Sequence, residues 1–262
     1  MARPTRVSRA LSQNFLADRA AAGQLARQAV PHGRQAPLLL EVGAGKGALT
    51  ELLAPRCRRL LAYEIDPRLV PALRTRFSHT PQVHVIDEDF LAARPPRTPF
   101  SVAGNVPFSR TAAIVDWCLR APDLTDATLL TQLEYARKRT GDYGSWSRLT
   151  VLTWPRYEWR LVGRVGRHSF RPVPRVDAGI VRIERRRTPL LDAAAYAGWR
   201  NLVELGFSGV GGSLRASLCR AHARRRVDAA FRAARLDARV LVGEVPPGAW
   251  LRLHEALAVR GS

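Results

Sequence analysis

The sequence predicts an α/β fold: a doubly wound parallel sheet followed by a small helical domain. Three observations carry that expectation. Strand-like apolar segments alternate with helix-like ones over roughly the first half of the chain. The first of those strands runs straight into a turn that holds Gly43, Gly45 and Gly47. Beyond about Glu184 the strand signal stops and only helical patterning remains. The boundaries drawn from this are a basic arm over 1–16, an α/β domain over 17–184 and a helical domain over 185–262. A chain of 262 residues is long enough to bury a core of that size.

The elements follow in order. From Asp18 to about Val30, "DRAAAGQLARQAV" reads as a helix with Leu25, Ala26 and Ala29 on one side, ended by Pro31 and Gly33. "LLLEVG" (38–43) is a short apolar strand, and after the glycines "ALTELLA" is a helix. "RLLAYEID" (59–66) is a second strand, and Pro67 sits where the next helix, in "RLVPALRTRF", would begin. "VHVIDEDF" is a third strand, "FSVAGN" a fourth, "RTAAIVDWCLR" a helix and "ATLLTQL" a fifth strand. "LTVLTWPRYEWRLVGRVG" and "DAGIVRIERR" read as further strands, and "RRRTPLL" (185–191) as a linker. The rest is helical: "DAAAYAGWRNLVELGF", "SLRASLCRAHARRR", "VDAAFRAARL" and "GAWLRLHEALAV". Trp146, Trp154, Trp159, Trp199 and Trp250 read as core residues.

Composition narrows the function. The formal net charge is +20, far more than solubility requires, which predicts a polyanionic partner. Lys46 and Lys138 are the two lysines, and the remaining cations are arginines. A codon bias explains Arg in place of Lys, but not the excess of cations over carboxylates. No basic amphipathic anchor stands out and no run of apolar residues is long enough to span a membrane, so nucleic acid is the expected partner. The arginine clusters at 185–187 and in "HARRR" (222–226) are the candidate phosphate contacts. The N-terminus lacks the apolar stretch of a secretory signal. Cys57, Cys118 and Cys219 are scattered without metal-ligand spacing, which fits reduced thiols in a cytoplasmic protein.

The glycine turn, "EVGAGKGALT", lets the backbone approach a ligand closely. Glu64 ends the next strand, where a carboxylate can accept hydrogen bonds from ribose hydroxyls. Taken alone, "GAGKGA" also fits a dinucleotide fingerprint, which leaves a nicotinamide cofactor open. Asp89 ends the third strand with Phe90 after it; a carboxylate there can accept from an adenine amino group while the apolar neighbour covers the ring. Together these residues describe a pocket for adenosine with no dedicated pyrophosphate site, which suits S-adenosylmethionine. The fourth strand ends in "GNVPF". An exocyclic adenine amine is a poor nucleophile, because its lone pair is delocalised into the ring. Two acceptors, the Asn105 side-chain carbonyl and a backbone carbonyl in the same turn, would help that nitrogen become tetrahedral. Pro107 would fix the turn, and the Phe108 ring would stack on the flipped base.

In these motifs the chain resembles the Erm family of 23S rRNA adenine N6-methyltransferases. The similarity runs in order through "SQNFL", "EVGAGKG", "YEID", "DEDF", "GNVPF", "LLTQLEYARKR" and "SFRPVPRVD". The related 16S rRNA adenine dimethyltransferases of the KsgA type share most of this layout; Ser12 before "QNF" and Lys46 in the glycine turn are the Erm-like features, and "GNVPFSRTA" looks like Erm sequences from actinomycetes. The resemblance implies a Rossmann-like class I methyltransferase sheet and S-adenosylmethionine as cofactor. It implies an adenine in domain V of 23S rRNA as target, methylated before ribosome assembly by a monomeric enzyme, with macrolide, lincosamide and streptogramin B resistance as the outcome. It places Gln13 and Asn14 near the methionine end of the cofactor, Gly43 and Gly45 beneath it, Glu64 on the ribose and Asp89 with Phe90 on the adenine. Asn105, beside the cofactor, would join Pro107 and Phe108 in the target site. Phe170, in "HSFRPVP", would be a second aromatic wall for the flipped base, or else a core residue before a proline-rich turn. The rival functions are a 16S rRNA dimethyltransferase and a non-catalytic RNA-binding protein on the same fold.

Overall fold

The computed structural model describes residues 14–209 and 213–258. Its centre is a seven-stranded sheet in the order β4-β3-β2-β5-β6-β9-β7. These strands are β2 (Leu39–Val42), β3 (Leu60–Glu64), β4 (Val83–Asp87), β5 (Phe100–Asn105), β6 (Leu124–Gln132), β7 (Tyr157–Val165) and β9 (Ala178–Arg185). From β4 to β6 the neighbours are parallel, as expected, and β9 then runs antiparallel to β6. All four residues of β2 are buried, the mark of a strand covered on both faces. Helices α1 (Arg19–Ala29), α2 (Ala48–Leu53), α3 (Val70–Arg76) and α4 (Thr111–Arg120) supply the covering layers. Asp18 caps α1, its carboxylate accepting from the amides of Ala20 and Ala21. Leu25, Ala26 and Ala29 lie on the buried side of that helix, where the sequence puts them.

Strand order reverses between β2 and β5: the chain winds outward one way through β3 and β4, and the other way through β5 and β6. A crevice opens outside the carboxyl ends of strands at such a switch point. The glycine turn leaves β2 there and "GNVPF" leaves β5 there. Gly104 makes the close approach of these strands possible. A Cβ at that position would lie 2.6 Å from the Val42 carbonyl oxygen and 3.0 Å from the Val42 Cβ.

The chain divides into two compact units. One takes the chain up to Ala136 with Arg160–Arg185; the other takes Arg137–Trp159 with the chain from Arg186 onward. The second unit thus includes a segment drawn from the sequence as part of the α/β domain. The reason lies in 149–154, read as strand. It forms helix α6 (Arg148–Thr153), preceded by α5 (Leu133–Thr140). The Ser147 hydroxyl caps α6 by accepting from the Thr150 amide, and Val151 is fully buried in the apolar core of the helical unit. A short apolar run cannot be told from a strand by periodicity alone. That core also holds Trp199, Trp250, Phe231 and Leu253, from α7 (Ala195–Gly206), α9 (Arg224–Ala234) and α10 (Pro247–Ala258). Among the tryptophans expected in the core, Trp159, Trp199 and Trp250 are buried, while Trp146 and Trp154 are half-buried and meet edge to face. "SLRASLCRAHARRR" is not one helix. It stops after α8 (Leu214–Leu218), and Ala223 takes an extended conformation before α9, whose Val227, Ala230, Phe231 and Ala234 then face inward.

Two further expectations change. The arm expected over 1–16 ends earlier, since β1 (Phe15–Leu16) pairs antiparallel with β8 (Phe170–Arg171) and Leu16 is buried. Phe170, opposite Leu16 in that ladder, is fully buried in the core of the first unit. Its ring has no face open to a base, so the core reading of Phe170 replaces the aromatic wall.

Candidate active site

Two adjoining pockets lie at the switch point and share Gly43, Glu64 and Pro107. The first is completed by Asn14, Phe15, Gly45, Asn105, Val106 and Phe108. The second is lined by Tyr63, Ile65, Asp89, Phe90, Arg110 and Ile114 among others. Every expected site residue within the described chain, Phe170 excepted, is therefore at this one crevice. Gln13 lies outside the described residues.

The glycine turn is built on left-handed residues: φ is +71° at Gly43, +60° at Gly45 and +82° at Gly47. A Cβ on Gly43 would stand 3.9 Å from the Asn105 carbonyl oxygen, between the ends of β2 and β5. Its absence keeps open the space that both pockets share. Glu64 braces the turn from below. One carboxylate oxygen accepts from the Gly45 amide at 2.7 Å and the other from the Asp66 amide at 2.8 Å. The side chain is buried, yet each oxygen keeps a second lone pair for a ligand. Beside it Glu41 is buried too, and its carboxylate accepts from the Thr50 hydroxyl at 2.7 Å. Burial, aided by the charge of Glu64, pushes Glu41 up to about 7.

Asp89 is held at both oxygens. Oδ1 accepts from the Leu91 amide at 3.0 Å, and Oδ2 from the Arg110 guanidinium at 2.7 Å. Arg110 sits on a single 3-10 turn, Phe108–Arg110, directly after Pro107. One ion pair thus ties the end of "GNVPF" to the carboxylate expected at an adenine. The Phe90 ring packs in an aromatic cluster, 5.5 Å from Tyr63 and 4.3 Å from Trp117 between centroids. Ile65 gives the same pocket an exposed apolar side chain.

The Asn105 amide nitrogen donates to the Asn14 backbone carbonyl at 2.7 Å. The acceptor is a carbonyl, so the nitrogen must face it, and the side-chain oxygen of Asn105 is left as the acceptor for something else. The Pro107 carbonyl already accepts from the Arg110 amide at 2.9 Å. Phe108 is half-buried, packs against the core and lines the first pocket. Glu41 and Arg110 are the residues that sequence reasoning missed. The signal for Glu41 was present, a lone acid inside the apolar "LLLEVG"; nothing local pairs Arg110 with Asp89.

The arginines expected to meet phosphate divide. The Arg185 guanidinium donates to the carbonyls of Leu124 and Ala121, and Arg186 donates to the Trp154 carbonyl and lies over its ring. Both are committed within the protein. Arg224 and Arg225 are exposed at the start of α9, while the Arg226 guanidinium beside them donates to the Leu257 carbonyl at 2.7 Å. No helix among the described residues is long and apolar enough to cross a membrane, and no group of three metal-ligating side chains occurs among them.

The chain and its fold have close parallels. The family model described as ribosomal RNA adenine dimethylase matches residues 5–259. An rRNA adenine N-6-methyltransferase of Streptomyces fradiae is 64% identical over 96% of this chain and 79% of its own length. The mycinamicin-resistance protein MyrB of Micromonospora griseorubida is 39% identical over 93% of this chain and 77% of its own. The crystal structure of the 23S rRNA methyltransferase ErmE superposes with a TM-score of 0.89 at 50% identity, covering 93% of this chain and 99% of that one. The chain belongs to the ribosomal RNA adenine dimethylase family.

Proposed function

We propose that this protein transfers a methyl group from S-adenosylmethionine to N6 of one adenine in domain V of 23S rRNA, and so confers macrolide, lincosamide and streptogramin B resistance. The observation that carries this reading is the meeting of Asn105, Pro107 and Phe108 with Gly43, Glu64 and Asp89 at one switch-point crevice. The relatives' names supply the substrate: ribosomal RNA adenine N6 in one, 23S rRNA in another and drug resistance in a third. The enzyme acts as a cytoplasmic monomer on rRNA not yet assembled into the ribosome.

The residues present fit that cofactor. Glu64 offers its remaining lone pairs to the ribose hydroxyls, Asp89 offers its own to the adenine amine, and Ile65 and Phe90 give the ring an apolar bed. Glu64, the buried carboxylate common to both pockets, favours a cationic ligand over a neutral one. When bound, S-adenosylmethionine would supply an electrophilic methyl carbon on a cationic sulfur, which the N6 nitrogen would take up. Asn105 Oδ1 and the Val106 carbonyl accept the N6 hydrogens, drawing the nitrogen lone pair out of conjugation and into line. Phe108 stacks on the flipped ring and holds it there. No titrating base stands in the motif, and the proton released from N6 passes to solvent.

Labelled cofactor offered with deproteinised 23S or 16S rRNA, followed by primer extension, tests the proposal. Label in 23S rRNA with a single stop in the peptidyl-transferase loop is expected. Label confined to 16S rRNA would make the protein a small-subunit dimethyltransferase, and no label with intact RNA binding would make it a binding protein.

A further inference from the structure

Tyr143 is the most exposed large hydrophobic side chain in the described structure, at 72%, and its backbone is left-handed, with φ +72°. It stands in a turn whose flanking glycines, Gly141 and Gly144, also take positive φ. A tyrosine rarely adopts that conformation, and such an outlier in a surface loop points to a use for the side chain. The Arg137 guanidinium lies over one face of the ring, 3.7 Å from its centroid. That guanidinium is itself held by Asp142, whose carboxylate accepts from it at 2.6 Å. One face of the ring is therefore braced by a fixed cation, and the exposure of the side chain leaves the opposite face to solvent. Lys138 and Arg148 nearby in sequence are also exposed.

We propose that Tyr143, backed by Arg137, is a stacking platform for an unpaired base of the RNA substrate. The inference rests on the RNA reading above and adds a contact point in the second unit. A flat π-face meets any nucleobase, and the exposed cations Lys138 and Arg148, near Tyr143 in sequence, are available to the phosphates of the same strand. An exposed ring held out on a strained turn and backed by a guanidinium suits a ligand that combines aromatic faces with negative charge. A protein partner would offer the apolar surface but not the regular anionic backbone.

The test compares wild type with Tyr143→Phe, Tyr143→Ala and Tyr143→Gly. Each is titrated against a 23S rRNA peptidyl-transferase-loop transcript at two salt concentrations, with S-adenosylhomocysteine binding, melting temperature and methylation kinetics measured alongside. Tyr143→Phe keeps the ring and should bind within twofold of wild type. Tyr143→Ala and Tyr143→Gly should bind roughly 5- to 150-fold more weakly, the range of one lost base–aromatic stack. Their salt slope should not change, since no cation is lost. The effect should appear in KM for RNA, with kcat at saturating RNA and cofactor affinity unaltered. Tyr143→Gly relieves the left-handed strain, so its melting temperature should not fall even as RNA binding weakens. RNA affinity unchanged in both truncations overturns the proposal, as does equal loss in Tyr143→Phe, which would make the hydroxyl the contact. Parallel loss of melting temperature, cofactor affinity and RNA affinity in Tyr143→Gly would make Tyr143 structural. A wild type that neither binds nor labels the transcript defeats the substrate reading first, and with it this inference. A working wild type with indifferent variants defeats this inference alone.

Discussion

The crevice at the switch point and the 137–148 surface both use left-handed turns and charged side chains, and they use them differently. In the crevice every left-handed residue is glycine, so the backbone itself comes close to the ligand. The charged groups there are held by several partners at once: Glu64 by two amides, Asp89 by an amide and Arg110. On the 137–148 surface a tyrosine joins two glycines in the left-handed conformation, at a cost of about 1–3 kcal/mol. Its ring is exposed and is backed by a guanidinium anchored on one acid. The contrast separates two tasks. Methyl transfer needs atoms placed to fractions of an ångström, which buried and redundant hydrogen bonds supply. Gripping a long flexible polyanion needs reach and tolerance, which an exposed ring backed by a guanidinium supplies.

The comparison can be broken most sharply at Asn105. Asn105→Ala should leave RNA and cofactor binding in place while single-turnover methyl transfer falls on the order of a hundredfold or more, the scale of losing one oriented polar group in a transition state. A rate within a few fold of wild type would mean that the crevice positions the base without this amide.

Glu41 sharpens the comparison through pH. Its folded value, about 7, lies above its ordinary value of 4.5, so the folded state holds the extra proton between the two. Stability should fall as pH rises through that window, by up to about 3 kcal/mol, with the full penalty present above pH 7. Glu41→Gln should flatten the dependence of melting temperature on pH between about 5 and 8. A slope that survives the substitution would assign the titration to another group.

Glu64→Ala should weaken S-adenosylhomocysteine binding, measured by calorimetry, by roughly 1.5–3 kcal/mol, the scale of a lost charged hydrogen bond. RNA affinity should move much less. Because Glu64 also braces the Gly45 amide, Glu64→Gln should retain part of the affinity; an unchanged dissociation constant in the folded alanine variant would put the ribose elsewhere.

The smallest expected effect is at Phe108. Phe108→Ala should cost about 1–3 kcal/mol, mostly in the transfer rate, while Phe108→Tyr, which keeps the ring face, should be nearly neutral. Wild-type turnover by the alanine variant would remove the stacking role, and loss of its folded circular dichroism would make Phe108 a core residue.

The amino-acid sequence by itself determined the succession of strands and helices from α1 to β6, the glycine turn after β2, and the placing of Glu64 and Asn105 at strand ends, while Asp89, expected to end the third strand, lies two residues beyond the end of β4. Those features are local. Apolar spacing reports which face is buried, and Gly, Pro and Asn report where the chain must turn, so each can be read within a dozen residues. Only the tertiary structure decided how distant side chains meet. The Asn14 carbonyl fixes the Asn105 amide across 91 residues, and Arg110 reaches Asp89 across 21. Sheet order brings those pairs together, and no periodicity records it. The same reason explains what changed. Phe170 looks like a site residue in its motif and is buried because β8 pairs with β1. Residues 149–154 have the apolar character of a strand and become a helix because the core of the helical unit takes Val151. Arg185 and Arg186 look like phosphate contacts in a basic run, and backbone carbonyls far along the chain engage them instead. A sequence shows which groups a residue can bond; the fold alone decides which of them arrive.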